Sequence, residues 1–573
     1  MKFASLALAA AALLSSAPAH AEGWLTVDGT QIVDDSGKPV ILRGMGLGGW
    51  MLQEGYMLKL GEVGQQHKIR AKLVELVGEE RTAEFYRAWL DNHTTKADID
   101  QMAKWGFNSV RLPIHFDQLT LPADREPKPG QDTWLEDGFR RIDKLLEWSK
   151  ANHIYLILDL HAAPGGQGND LAISDRDPAK PSLWESAENQ RKTVALWKKL
   201  AARYKDEPWI GAYDMINEPN WSFATPGKGN GCDETESKGV WDLQQHITKA
   251  IREVDTRHIV IIEGNCWGNN YKGLPPAWDA NMAISFHKYW NRNDAASIAD
   301  IVKMRTSYDR PIWLGESGEN SNVWYRDAIA LVEGEGIGWN FWPLKKIGFN
   351  QPLEIDPGPG WAKIVDWATG KGPKPDADTA YAAMMILARN SRFDRNISKP
   401  DVIDAMFRQP HDASYRPFVQ RTLDKTPLTV RAVDYDLGPA GVAYQDSVDA
   451  NYHVATGGER TPWNNGTTYR NDGVDIVRAA DGSPHVSDFV TGEFMRYSAD
   501  VARPGRWTVT ARVRSAKGGR IGIDERGVTV TVAPGWQDIR LAEIELPAGP
   551  GTATLRALDC SDCEVESLTF VPK

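Results

Sequence analysis

Between about residue 40 and residue 344 the chain alternates two textures. Short runs rich in Ile, Val, Leu and aromatic residues recur at 40–47, 109–114, 155–161, 210–218, 258–264, 282–289, 312–318 and 337–344. They are apolar at successive positions, as strands buried on both faces should be. Longer amphipathic stretches lie between them, among others at 139–152, 189–204, 244–254 and 324–333. In the first, Phe139, Ile142, Leu145, Leu146 and Trp148 fall near a 3.6-residue period, which predicts one buried helix face. Eight strand-then-helix units predict an α/β fold, a (β/α)8 barrel. A doubly wound sheet would also alternate. However, Gly44, Gly46, Gly48 and Gly49 form no G-x-G-x-x-G turn with a downstream acid.

After about residue 425 the helical periods stop. Short alternating runs follow at 494–501, 507–514, 528–532 and 539–546, punctuated by Gly, Pro, Asn and Asp. This predicts an all-β sandwich of the jelly-roll kind. The Pro-rich stretch 370–378 reads as a loop within the barrel's last part, because 380–388 is helical again. At the other end, Lys2, an apolar run over 3–14 and Ala19-His20-Ala21 read as a secretory signal peptide cut after Ala21. That run is too short to span a membrane, and no later segment reaches the ~18 apolar residues of a span. The expected organisation is therefore a signal peptide over 1–21, a (β/α)8 barrel domain over 22–425 and a sandwich over 426–573, in a secreted or periplasmic protein.

Composition refines this picture. The net charge of −11 argues against nucleic acid and anionic membranes as partners. Export implies an oxidising compartment, where Cys232 is expected to pair with Cys266 and Cys560 with Cys563. The lone Cys560-x-x-Cys563 step has no second pair or nearby His to complete a zinc site, so no metal is expected. Of the 23 Trp residues, 20 precede residue 425. Trp105 and Trp148 fall in helical periods, whereas Trp50, Trp221, Trp267, Trp290 and Trp342 fall at strand ends or in the loops beyond, where a barrel binds its ligand.

In a barrel, the C-terminal ends of the strands carry the chemistry. Those ends hold Arg111, His161, Asn217 with Glu218, His287 with Tyr289, Glu316 and Trp342. Two carboxylates facing across a cleft are the minimum apparatus for glycoside hydrolysis, one protonated and one ionised. Tyr289 and Arg111 suit a nucleophile kept charged, Asn217 suits a sugar 2-hydroxyl, and Trp342 suits an apolar sugar face.

These pieces occur in a recognisable order: GFNSVRLP at 106–113, LDLH at 158–161, Asn217-Glu218-Pro219, His287-Lys288-Tyr289, Gly315-Glu316-Ser317-Gly318 and the Trp339 to Trp342 segment. Over roughly 24–420 the chain resembles glycoside hydrolase family 5. The resemblance implies Glu218 as acid/base, Glu316 as nucleophile, and Arg111, His161, Asn217, His287, Tyr289 and Trp342 as the supporting set. It also implies retention of anomeric configuration and no cofactor. The stretch LGGWMLQE at 47–54 and the HAAPGGQ loop at 161–167 resemble the exo-β-1,3-glucanase branch, in which the acid matching Glu54 contacts the terminal glucose. Gly55-Tyr56 stands where that branch usually has Pro-Trp, and Trp290 is a further stacking candidate. The expected substrate is thus a β-glucan polysaccharide or oligosaccharide, β-1,3-linked. The alternatives are a β-1,4-glucanase, a hydrolase of another β-glucoside, and a non-catalytic polysaccharide-binding protein.

The sandwich resembles a carbohydrate-binding module of family 6, through Asp434-Tyr435-Asp436, Gly441 to Tyr444, Gly473 to Ile476, Gly492 to Tyr497 and Gly535-Trp536. It departs from that family where sugar is usually clamped. His485 and Ser567 replace the two aromatics, and Val433 replaces a calcium-associated Glu. An accessory or docking role is expected there, with Trp463 and Tyr469 as the remaining candidates for glycan contact.

Overall fold

The computed structural model describes residues 23–289, 291–447, 468–524, 526–531 and 533–573. The signal-peptide segment, Trp290 and Trp463 lie outside these residues. Among the described residues, eight parallel strands close into a barrel: β1 (Arg43–Gly46), β2 (Ser109–His115), β3 (Tyr155–Ala162), β4 (Ile210–Asp214), β5 (Ile259–Ile262), β6 (Met282–Lys288), β7 (Ile312–Ser317) and β8 (Gly338–Phe341). Strand β8 pairs with both β7 and β1, which leaves no open edge. Each strand matches one expected apolar run, although several are shorter. The run at 210–218 leaves the sheet after Asp214, so that Met215 to Glu218 bend over the barrel mouth.

Helices pack outside on the faces their periodicity predicted. Glu136–Ala151 buries Phe139, Ile142, Leu145 and Leu146, and Ala187–Tyr204 buries Leu196, Trp197 and Leu200. Both start a few residues before the apolar period; a polar cap sets the first turn of the second, whereas the first begins after Leu135 with no side-chain cap. The Ser186 side chain accepts from Asn189 N–H, and the Ser321 hydroxyl from Trp324 N–H, opening Asn322–Gly334. Truncating a fully buried Ile142 or Leu145 to Ala would cost about 2–5 kcal/mol.

Among the described residues the C-terminal region forms two sheets, antiparallel except where Thr422–Leu423 runs parallel to Phe494–Val501. In Gly505–Ser515, Trp507, Val509, Ala511 and Val513 are buried and the intervening side chains are partly exposed, the period-two signature of a half-buried strand. Disulfides join Cys232 to Cys266 and Cys560 to Cys563, as expected.

Three aromatic side chains depart from expectation. Trp50 and Trp221 do not face a sugar site: they are 3% and 1% exposed. The Trp50 indole N–H donates to the Leu90 carbonyl, and the Arg176 guanidinium covers the Trp221 ring. Tyr469 is no open platform either. Its hydroxyl is hydrogen-bonded to Asp434, and the Arg431 guanidinium lies over its ring. Among the described residues no helix is long and apolar enough to cross a membrane.

Candidate active site

Above the C-terminal ends of the strands lies a cleft of about 660 Å³, lined by Glu54, Tyr56, Glu218, Trp267, His287, Lys288, Tyr289, Glu316, Glu319 and Trp342 among others. Glu218 and Glu316 face each other across it. An oxygen of each and a ring nitrogen of His287 all lie within 4.8 Å of one another. This is the one group of potential metal ligands gathered among the described residues, yet its oxygens already meet N–H and O–H donors.

Glu316, at the end of β7, accepts from the Arg111 guanidinium at 2.7 Å and from the Tyr289 hydroxyl at 2.9 Å. Arg111 is wholly buried under the cleft. Its Nε donates to Asp214 at 2.9 Å, one Nη donates to Asn217 Oδ1 at 2.7 Å, and the other lies 3.2 Å from Asp159. An arginine buried in this way needs several carboxylates, and β3 and β4 supply them from inward-facing positions.

Glu218 follows the bend beyond β4 with a φ of 43°, a left-handed conformation unusual for a non-glycine residue. Its N–H donates to Glu263 Oε2 at 2.7 Å, and its Oε1 lies 2.7 Å from His287 Nδ1. Burial pushes the Glu218 carboxyl up, and the Glu316 and Glu263 charges add to this against the hydrogen bond from His287. Burial works against a charged His287, but Glu263 and Glu218 outweigh it and hold the imidazole up.

On the far side, His161 Nδ1 lies 2.7 Å from Asp159, while Nε2 lies 3.3 Å from Glu54 and 3.2 Å from the Asn217 amide. Burial raises the Glu54 carboxyl to about 7, against its bond to His161. The His161 ring stacks flat on Trp342 at 5.1 Å. Trp342 is only 3% exposed and its indole N–H donates to Tyr56 at 2.8 Å, so it forms the back wall of the cleft rather than an open platform. The Gly48 of the LGGW stretch makes this possible. A Cβ there would stand 2.4 Å from the Trp342 ring.

The structure thus brings together Arg111, His161, Asn217, Glu218, His287, Tyr289, Glu316, Trp342 and Glu54. Glu263, Asp159, Asp214, Tyr56 and Glu319 join them, although the ends of the apolar runs do not single them out. The first three carried a visible signal, a carboxylate inside or directly after an otherwise apolar strand. Glu319 and Tyr56 join the site only through long-range contacts.

The family model described as Cellulase (glycosyl hydrolase family 5) matches residues 72–347. An endoglucanase C of Acetivibrio thermocellus is 31% identical over 327 residues, spanning 46% of this chain and 88% of that protein. The chain belongs to glycoside hydrolase family 5. This family 5 hydrolase is also 29% identical to a β-xylosidase of Phanerodontia chrysosporium over 372 residues, 58% of this chain and 73% of that protein. A probable glucan 1,3-β-glucosidase A of Emericella nidulans is 28% identical over 314 residues, 52% and 71% of the two chains.

Proposed function

We propose that the protein is a secreted, retaining hydrolase of β-glucosidic bonds, acting on a β-1,3-linked glucan by double displacement. The observation that carries this reading is the approach of the Glu218 and Glu316 oxygens to within 4.8 Å. Such closeness suits direct attack, for which the carboxyls lie ~5–5.5 Å apart, better than the ~6.5–9.5 Å of an inverting pair.

In the first step the Glu316 carboxylate, held by Arg111 and Tyr289, attacks the anomeric carbon. Glu218, whose carboxyl is raised, gives its proton to the glycosidic oxygen, and the leaving alcohol departs. A glycosyl ester on Glu316 results. In the second step water attacks the anomeric carbon, the Glu218 carboxylate takes the water's proton, and Glu316 is released as carboxylate. Once Asn217 and His161 meet a sugar, their polar atoms at the cleft floor are placed for its hydroxyls.

The β-1,3 linkage is supported by the stretch at 47–54 and by the relative named for glucan 1,3-β-glucosidase. A β-1,4-glucanase is the second reading, favoured by the endoglucanase relative. The C-terminal Ala21 of the leader-like segment and the two disulfides support export. The reading is tested by turnover of an aryl β-glucoside by the native chain and by Glu316→Ala, with products compared on laminarin, mixed-linkage glucan and cellulose. Full activity in Glu316→Ala would overturn it.

A further inference from the structure

The sandwich touches the barrel at a place that matters for the cleft. Asn471, at 1% exposure, reaches into the loop that follows β7. Its side-chain amide donates to the Asn320 carbonyl at 2.9 Å and to Asn322 Oδ1 at 3.1 Å. Its carbonyl accepts from Asn322 N–H at 2.8 Å, and its own N–H donates to Asp401 at 2.7 Å. Asp401, in the helix Pro400–Phe407, also accepts from the Asn322 amide at 2.9 Å. All of these groups are buried. A buried polar junction of this kind is directional: it holds one geometry, where an apolar contact would tolerate sliding.

The residue before Asn320 is Glu319, which lines the cleft. It has a φ of 51°, a conformation that persists in a non-glycine residue only where the surroundings impose it. On its cleft side Glu319 pairs with Lys346, whose ammonium lies 5.3 Å from the centre of the Tyr56 ring, and the Tyr56 hydroxyl accepts from Trp342. A continuous set of contacts therefore runs from the sandwich through Asn320 to Glu319, Tyr56 and the back wall of the cleft.

We infer that the sandwich serves as a fixed support behind the catalytic site, with Asn471 as the positioning residue that sets Glu319 for binding of the glucoside. This rests on the reading of the cleft as the catalytic site, and it gives the second domain a role on soluble substrate, apart from any docking on a polymer. Asn471→Ala takes its amide away from Asn320 and Asn322 without touching Glu218 or Glu316. KM should therefore rise while kcat changes little.

The experiment measures kcat and KM for an aryl β-glucoside, together with amide hydrogen exchange over 317–325, in the full chain. Asn471→Ala should raise KM at least fivefold, leave kcat within about twofold and speed exchange in that loop. Glu319→Gln should raise KM alike, and the double variant should add nothing further. Val509→Ala, in the sandwich core away from the junction, should lower the melting temperature without moving KM. If Asn471→Ala does not fold, Asn471→Ser, which also removes the amide donor, takes its place. Unchanged KM and unchanged loop exchange would overturn the inference, as would an equal KM rise in Val509→Ala. An inactive native chain would instead refute the catalytic reading, and loop exchange would still decide the role of Asn471.

Discussion

The backbone N–H of Glu218 donates to the buried carboxylate of Glu263 at 2.7 Å. That carboxylate lies 3.2 Å from Arg111 Nη2 and 3.2 Å from His287 Nε2. One side chain at the end of β5 thus touches the backbone of one facing carboxylate, the arginine that holds the other, and the imidazole between them. Glu263→Gln keeps the size but removes the charge. It should lower kcat for an aryl β-glucoside by about ten- to a hundredfold, as expected for the loss of about 1.5–3 kcal/mol of hydrogen bonding to a charged group. Circular dichroism should remain native. Undiminished turnover would show that Glu263 is dispensable.

The bond from His287 holds the Glu218 carboxyl down against the rise that burial causes. Removing the imidazole in His287→Phe should let the Glu218 carboxyl rise further. A general acid works while protonated, so activity falls as pH climbs through its pKa. The basic limb of kcat/KM should therefore move to higher pH in His287→Phe. A limb that stays in place, or moves down, would separate His287 from the acid.

Asp255 lies at the barrel's N-terminal side, under the start of β5. Although burial opposes it, the hydrogen bond and charge of His258 and the Arg257 and His258 backbone N–H groups hold it down to about 2. A carboxyl depressed in the folded state stabilises it above the unfolded pKa, and that contribution is lost as pH falls through the folded value. Stability should decline between about pH 4 and pH 2, with Asp255 accounting for on the order of 2 kcal/mol. Asp255→Asn should be less stable at pH 7 and show a shallower acid decline in urea midpoint. Parallel declines in the two proteins would contradict this.

The Cys232–Cys266 disulfide ties the segment after β4 to the segment after β5, where Trp267 lines the cleft. Replacing both cysteines by serine should cost about 3–4 kcal/mol of stability on the chain-entropy argument. It should also raise KM for the glucoside. A variant as stable and as tightly binding as the native chain would show the tie to be idle.

Much of the barrel was legible because its strands are buried on both faces, which leaves uninterrupted apolar runs. The strand ends were legible because polar groups such as Arg111 and Glu316 stand out at the end of such runs. Trp50 and Trp221 were misplaced for a converse reason. Position near a strand end does not reveal whether an indole turns toward the cleft or into packing against Leu90 or Arg176. Glu319 and Asn471 gave no local signal, since their partners lie far away in sequence and only closure of the fold brings them together. Tyr469 carried an aromatic face but no sign that Arg431 and Asp434 would occupy it.

The central claim is that Glu316 attacks the anomeric carbon and Glu218 acts twice, as acid and then as base. Proton NMR of the first-formed sugar, recorded during hydrolysis of an aryl β-glucoside before mutarotation sets in, tests this most directly. Two displacements predict the β anomer as the first product. Initial appearance of the α anomer would mean a single displacement by water and would contradict the account.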